Sequence, residues 1–126
     1  MRFTKILLIT LIAMCSGSIF ADDTAMLIDL DKQWGSAGGP DGFVYDDVVG
    51  IGPTGIIGIA EVRQAATGPS DEEYVVGGYK VNFLSADIAV MVHTAEGSDP
   101  HSSLHVYQKQ DGEWLVVANA SAPLGE

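Results

Sequence analysis

Cationic side chains are scarce in this chain. Six Lys and Arg stand against 17 Asp and Glu, a formal charge of −11 over 126 residues. Nucleic-acid binding takes its affinity from Lys and Arg displacing counterions, so this balance argues against it. It equally disfavours an anionic membrane surface. Cysteine is nearly absent: Cys15 alone permits neither an internal disulfide nor a cysteine-based metal cluster. There is no Gly-x-Ser-x-Gly elbow for a serine nucleophile. The length is one domain's worth, too short for a barrel enzyme or a two-domain dehydrogenase. Apolar residues, by contrast, make up 47% of the chain, too many for a disordered polypeptide.

The first 21 residues read as a leader. Arg2 and Lys5 open it, Ile6 to Met14 form a short apolar run, and Ser16 to Ala21 supply small residues before Asp22 and Asp23. That is the pattern of a secretory signal peptide. The apolar run is about half of the roughly 20 residues that a membrane span needs. Cleavage is expected after Ala21, giving residues 1–21 as signal peptide and 22–126 as one exported domain, secreted or periplasmic. On that reading the mature chain has no cysteine, and no membrane attachment is expected; a lipid anchor on Cys15 is the lesser alternative, since Met14 is bulky for a lipoprotein signal.

Local signals then give the element order. Asp22, Asp23 and Thr24 are helix-start residues, and Leu27, Leu30 and Trp34 share a face, so a helix is expected over about 24–36. Ser36 to Pro40 ends it. Phe43 to Ile51 reads as a strand, Gly52 to Gly55 as a turn, and Ile56-Ile57 as a short returning strand. Ile59 to Ala66 is a short helix, ended by Gly68-Pro69-Ser70. Strands follow over 74–84, 88–94, 101–109 and 113–120. Gly77-Gly78 suggests a bulge or a bend in the first, and Gln110-Asp111-Gly112 turns the last pair. Connections this short require antiparallel neighbours. The class is α+β, with helices on one face of a curved antiparallel sheet.

Three segments carry a family resemblance. Leu30-Asp31-Lys32-Gln33-Trp34, then Asp46-Asp47-Val48-Val49 with Gly52-Pro53-x-Gly55, then Tyr107 to Trp114 with Val116-Val117 follow one another in order. Over about Ala25 to Leu124 the chain resembles the SnoaL-like and ketosteroid isomerase-like branch of the nuclear transport factor 2-like superfamily. The resemblance implies a cone: a curved antiparallel sheet wrapped on N-terminal helices, with a pocket in the wide mouth. Relatives usually carry a second helix between the Trp and the Asp-Asp pair. Only Gly35 to Tyr45 lie there in this chain, so that helix is expected to be shortened or missing.

The resemblance also permits a test of chemistry. Isomerases of this kind need a carboxylate base and an oxyanion hole. The base position aligns with Gly52, which has no proton-moving side chain, and the hole positions fall near Trp34 and His105. The balance is therefore against catalysis, with His105 and Asp46 as the remaining candidates. Asp46 and Asp47 are adjacent, so on a strand they point to opposite faces; one capping a turn or pairing with a cation, and one solvated, is the simple expectation. Trp34, Tyr45, His93, His105 and Tyr107 are the candidate ligand-binding residues.

No metal or other cofactor is expected. His101 and His105, with Asp99 nearby, lie about 13 Å apart on a strand at about 3.3 Å per residue, too far for one ion. Gly50-Ile51-Gly52-Pro53-Thr54-Gly55 matches a dinucleotide fingerprint only in letters, because no helix follows it. Asn119-Ala120-Ser121 fits a glycosylation acceptor within an expected strand. The leading expectation is an exported domain that binds a small, mostly apolar molecule in the cone. An isomerase, cyclase or dehydratase using His105 or Asp46 is the alternative, as is a protein-interaction module. A homodimer is expected on the ground that an open sheet leaves a face and edges to cover.

Overall fold

A computed structural model of the chain describes residues 16–35, 41–65, 74–97 and 100–125. The elements run α1 (Ser16–Gly35), β1 (Val44–Gly52), β2 (Gly55–Ile57), α2 (Ile59–Ala65), β3 (Val75–Ser85), β4 (Ile88–Glu96), β5 (His101–Gln110) and β6 (Glu113–Pro123). The leader's charged start and apolar run, the stops at 36–40 and 68–70, and Asp99 lie outside the described residues.

Helix α1 begins earlier than its capping residues predicted. Asp22, Asp23 and Thr24 sit inside it, and the Thr24 hydroxyl donates back to the Phe20 carbonyl at 2.7 Å. The helix therefore runs through the Ala21–Asp22 bond at which cleavage is expected. Phe20 packs on Phe83, ring centroids 5.0 Å apart. Two residues past that bond, Asp23 accepts from Trp114 Nε1 at 3.3 Å and from Lys109 Nζ at 3.3 Å, while Nζ lies 5.0 Å above the Trp114 ring. This clamp joins the helix to the closing hairpin.

The six strands form one sheet in the order β2-β1-β6-β5-β4-β3. Every neighbouring pair is antiparallel except β1 and β6, which run parallel from Val44↔Val116 to Ile51↔Ala120. The expected wholly antiparallel sheet is thus mixed. Short turns force antiparallel pairing only between consecutive strands, and the whole of α2 to β5 intervenes between β1 and β6. Of the bulge or bend expected at Gly77-Gly78, the strand has the bulge, a register shift between Val76 and Gly78. At the last turn Asp111 and Gly112 both have positive φ, 51° and 84°, as a two-residue hairpin of matching twist requires.

Helix α2 is a single short element. Glu61 Oε2 accepts the Gly58 N–H at 2.9 Å, which satisfies one of the donors left free at its start, and Val62 buries its inner side. The core gathers Leu27 from α1, Phe43, Val48 from β1, Val62, Ala89 and Met91 from β4, and Tyr107, Trp114 and Val116 from β5 and β6. Along β4 the buried set is Ala89, Met91, His93 and Ala95, so Val90 and Val92 face away from the helices.

Replacing Asp23 with Ala leaves the Trp114 indole N–H buried without its acceptor. The expected cost is about 2 kcal/mol of stability, read from the urea midpoint at unchanged slope.

Candidate functional site

Asp31 stands on the apolar face of α1, four residues after Leu27 and three before Trp34. It is 2% exposed. A carboxylate so placed needs several donors, and three strand-borne side chains supply them. His93 Nε2 lies 3.0 Å from Asp31 Oδ1, and His105 Nε2 lies 3.1 Å from the same oxygen. The hydroxyl of Tyr79 donates to Oδ2 at 2.7 Å. The hydroxyl of Tyr74, just before β3, donates to Oδ2 at 3.3 Å.

Register brings these groups together. Tyr79 pairs with His93 across β3 and β4, and Met91 pairs with His105 across β4 and β5. The two imidazoles are stacked at 5.4 Å between centroids, with their Nε2 atoms 3.3 Å apart. The Trp34 ring lies 5.0 Å from that of His105. Gly35 leaves room for Tyr74: a Cβ there would run into the Tyr74 ring.

Electrostatics follow from this geometry. Burial pushes the Asp31 carboxyl up, but hydrogen bonds from His105 and His93, and their charge, outweigh it and hold it well below its ordinary 3.8. Burial, then the neighbouring Asp31 carboxylate, pushes the phenols of Tyr74, Tyr79 and Tyr107 well up. Three buried polar atoms have no partner among the described residues: His105 Nδ1, Tyr107 OH and Asn119 Oδ1.

Of the residues singled out from the sequence, Trp34, His93, His105 and Tyr107 meet here. His105 is buried at 4% exposure. Tyr45 and Asp46 do not join them. Tyr45 is exposed on β1, and Asp46 accepts from Arg63 NH2 at 3.2 Å on the surface beside α2. Of the two expectations for that pair, a turn cap or a cationic partner, Asp46 has the second. Gly52 is half-buried at the end of β1. His101 is half-buried, its ring 6.2 Å from that of His93. Asn119 has its side-chain oxygen buried in β6, a poor place for glycosylation. Sequence reasoning missed Asp31, Tyr74 and Tyr79. An acidic residue on the Leu27–Trp34 face was the available signal for Asp31.

The other face of the sheet is different in kind. A groove of about 720 Å³ runs over it, lined by Ile51, Lys80, Val92, Leu104, Ala120 and Ala122 among others. Ile51 is 62% exposed. The groove also touches Tyr79 and His93, so a single strand layer separates it from the buried centre.

No protein-family model and no curated protein matches the sequence. Solved structures do match in shape. A protein of unknown function of the DUF3225 family from Pectobacterium atrosepticum superposes with a TM-score of 0.70 at 18% identity, over 87% of this chain and 94% of that one. A protein of unknown function from Shewanella baltica, described as NTF2-like, gives 0.68 at 11% identity, over 90% and 100%. The association domain of C. elegans CaMKII gives 0.68 at 14% identity, over 84% and 96%. The chain has the nuclear transport factor 2-like fold. Identities this low carry the fold and nothing finer.

Folding lowers the proton affinity of Asp31, so the folded chain binds fewer protons there than the unfolded one. Its contribution is complete above about pH 4 and is lost as pH falls further. An Asp31→Asn variant is expected to lose about 3 kcal/mol at neutral pH. It should also lack that part of the acid slope, measured by urea unfolding from pH 7 to pH 3.

Proposed function

We propose that this is an exported domain that works by self-association, two copies meeting through the outer face of the sheet. The apolar character of that face carries the reading. A solvated antiparallel face ordinarily alternates to polar residues, whereas Val49, Ile51, Val92 and Leu104 stand here at 63%, 62%, 37% and 38% exposure. β1, β6, β5 and β4 place them side by side, with Ile51 opposite Ala120 and Leu104 opposite Val92. Lys80 is the cation along the groove. A face of this kind meets its own copy about a two-fold axis without pairing unlike charges. The likeness to an association domain in fold supports the same reading. Export rests on the leader pattern of residues 1–21.

An apolar molecule inside the cone has less support. Among the described residues, Trp34, His93, His105 and Tyr107 pack against Asp31 and one another there. Catalysis through Asp46 has less support again, since Arg63 holds that residue on the surface.

Light scattering on the exported protein over a concentration series should give the mass of a dimer. Leu104→Glu should weaken the dimer about a hundredfold or more, because a carboxylate would be buried unpaired. Added salt should tighten the wild-type dimer by screening two strongly acidic copies. A folded wild-type protein that stays monomeric throughout overturns the proposal. Mass spectrometry of the exported chain should place its first residue at Asp22.

A further inference from the structure

We propose that Asp31, His93 and His105 form a binding site for one divalent transition-metal ion, independent of the outer face. The three potential ligand atoms are Asp31 Oδ1, His93 Nε2 and His105 Nε2, separated by 3.0, 3.1 and 3.3 Å. An ion about 2.1 Å from each of three donors sets them about 3.0 Å apart at right angles and about 3.4 Å apart at the tetrahedral angle. All three separations fall within that interval. The ligand set, two imidazoles and one carboxylate, suits zinc or iron(II).

Hydrogen bonding alone accounts for the cluster less well. Both Nε2–H groups would then converge on one carboxylate oxygen while lying 3.3 Å from each other with no bond between them. The Nδ1 of His105 would be a buried acceptor with nothing to accept. An ion removes both difficulties. With the Nε2 lone pair of His105 on the metal, its proton resides on Nδ1. Asn119 is the cross-strand partner of His105, and its Oδ1 is the neighbouring buried acceptor that lacks a donor. A small turn of either side chain pairs the two orphans, and that outer bond fixes the ligating tautomer. Tyr79 holds Asp31 Oδ2 and so leaves Oδ1 for the ion. Tyr74 OH, 3.4 Å from His93 Nε2 and 3.3 Å from Asp31 Oδ2, stands beside the site. The expectation of no metal rested on His101 and His105 along one strand, with Asp99 nearby; the proposed site instead spans α1, β4 and β5.

Cobalt(II) is the probe. The exported protein, stripped with chelator and titrated with cobalt, should bind one equivalent and develop visible d–d bands of nitrogen and oxygen ligation. Zinc should displace the cobalt and bleach them. His93→Gln should lower affinity by about a hundredfold or more, and Asn119→Ala by about tenfold, the latter through the outer bond alone. Circular dichroism reports folding in each case. If His93→Gln fails to fold, the stoichiometry and spectrum of wild type and of Asn119→Ala decide. A folded wild-type protein that gives no band overturns the proposal. So does a spectrum of oxygen ligands only, or binding undiminished in a folded His93→Gln protein, either of which puts the ion on the acidic surface.

Discussion

A carboxylate buried inside an apolar core is tolerated only where donors reach both of its oxygens. Asp31 obtains them from three strands and the residue before β3, since Tyr74, Tyr79, His93 and His105 all converge on it. The consequence is positional. Leu27 and Trp34 give α1 an apolar face that would pack on the sheet at several rotations. Asp31 admits one of them, because any other leaves a buried charge unmatched, at a cost of several kcal/mol. At the other end of the described helix, Asp23 does the same with Lys109 and Trp114. Two aspartates eight residues apart thus hold one helix to β3, β4, β5 and β6.

The sheet therefore has two faces of inverted character. The face under the helix carries histidines and tyrosines among its aliphatic residues, and the helix brings Asp31 down onto them. The face away from it carries Val49, Ile51, Val92 and Leu104. Polar groups are affordable inside because register pairs them with one another. Apolar groups outside have no such internal explanation, and they are the ground on which self-association through that face is proposed.

Much of this was legible in the sequence, and the boundary has a physical cause. The helix stripe, the glycine bulge, the Asp111-Gly112 turn and α2 are local signals, each carried by a few neighbouring residues. The family resemblance anticipated the α+β sheet from the order of three such segments. The parallel pairing of β1 with β6 was missed because it joins Val44 to Val116, and no local pattern encodes that contact. Asp31 was read only as a letter in the opening motif. A lone acid on a helix is usually solvated, and its partners lie 43 to 74 positions later in the chain. His93 and His105 were both noticed, yet their meeting depends on the register of β4 against β5, which periodicity does not give.

The position of β6 has a temporal consequence. It follows the other five strands in the chain and lies in the interior of the sheet, between β1 and β5. Until residues 113–123 emerge from the ribosome, β1, β2 and α2 have no strand on which to dock. A two-stranded fragment of that kind is marginal in water. The sheet consequently cannot be completed until β6 has joined it. Loss of the last dozen residues would likewise split the sheet down its middle instead of trimming an edge.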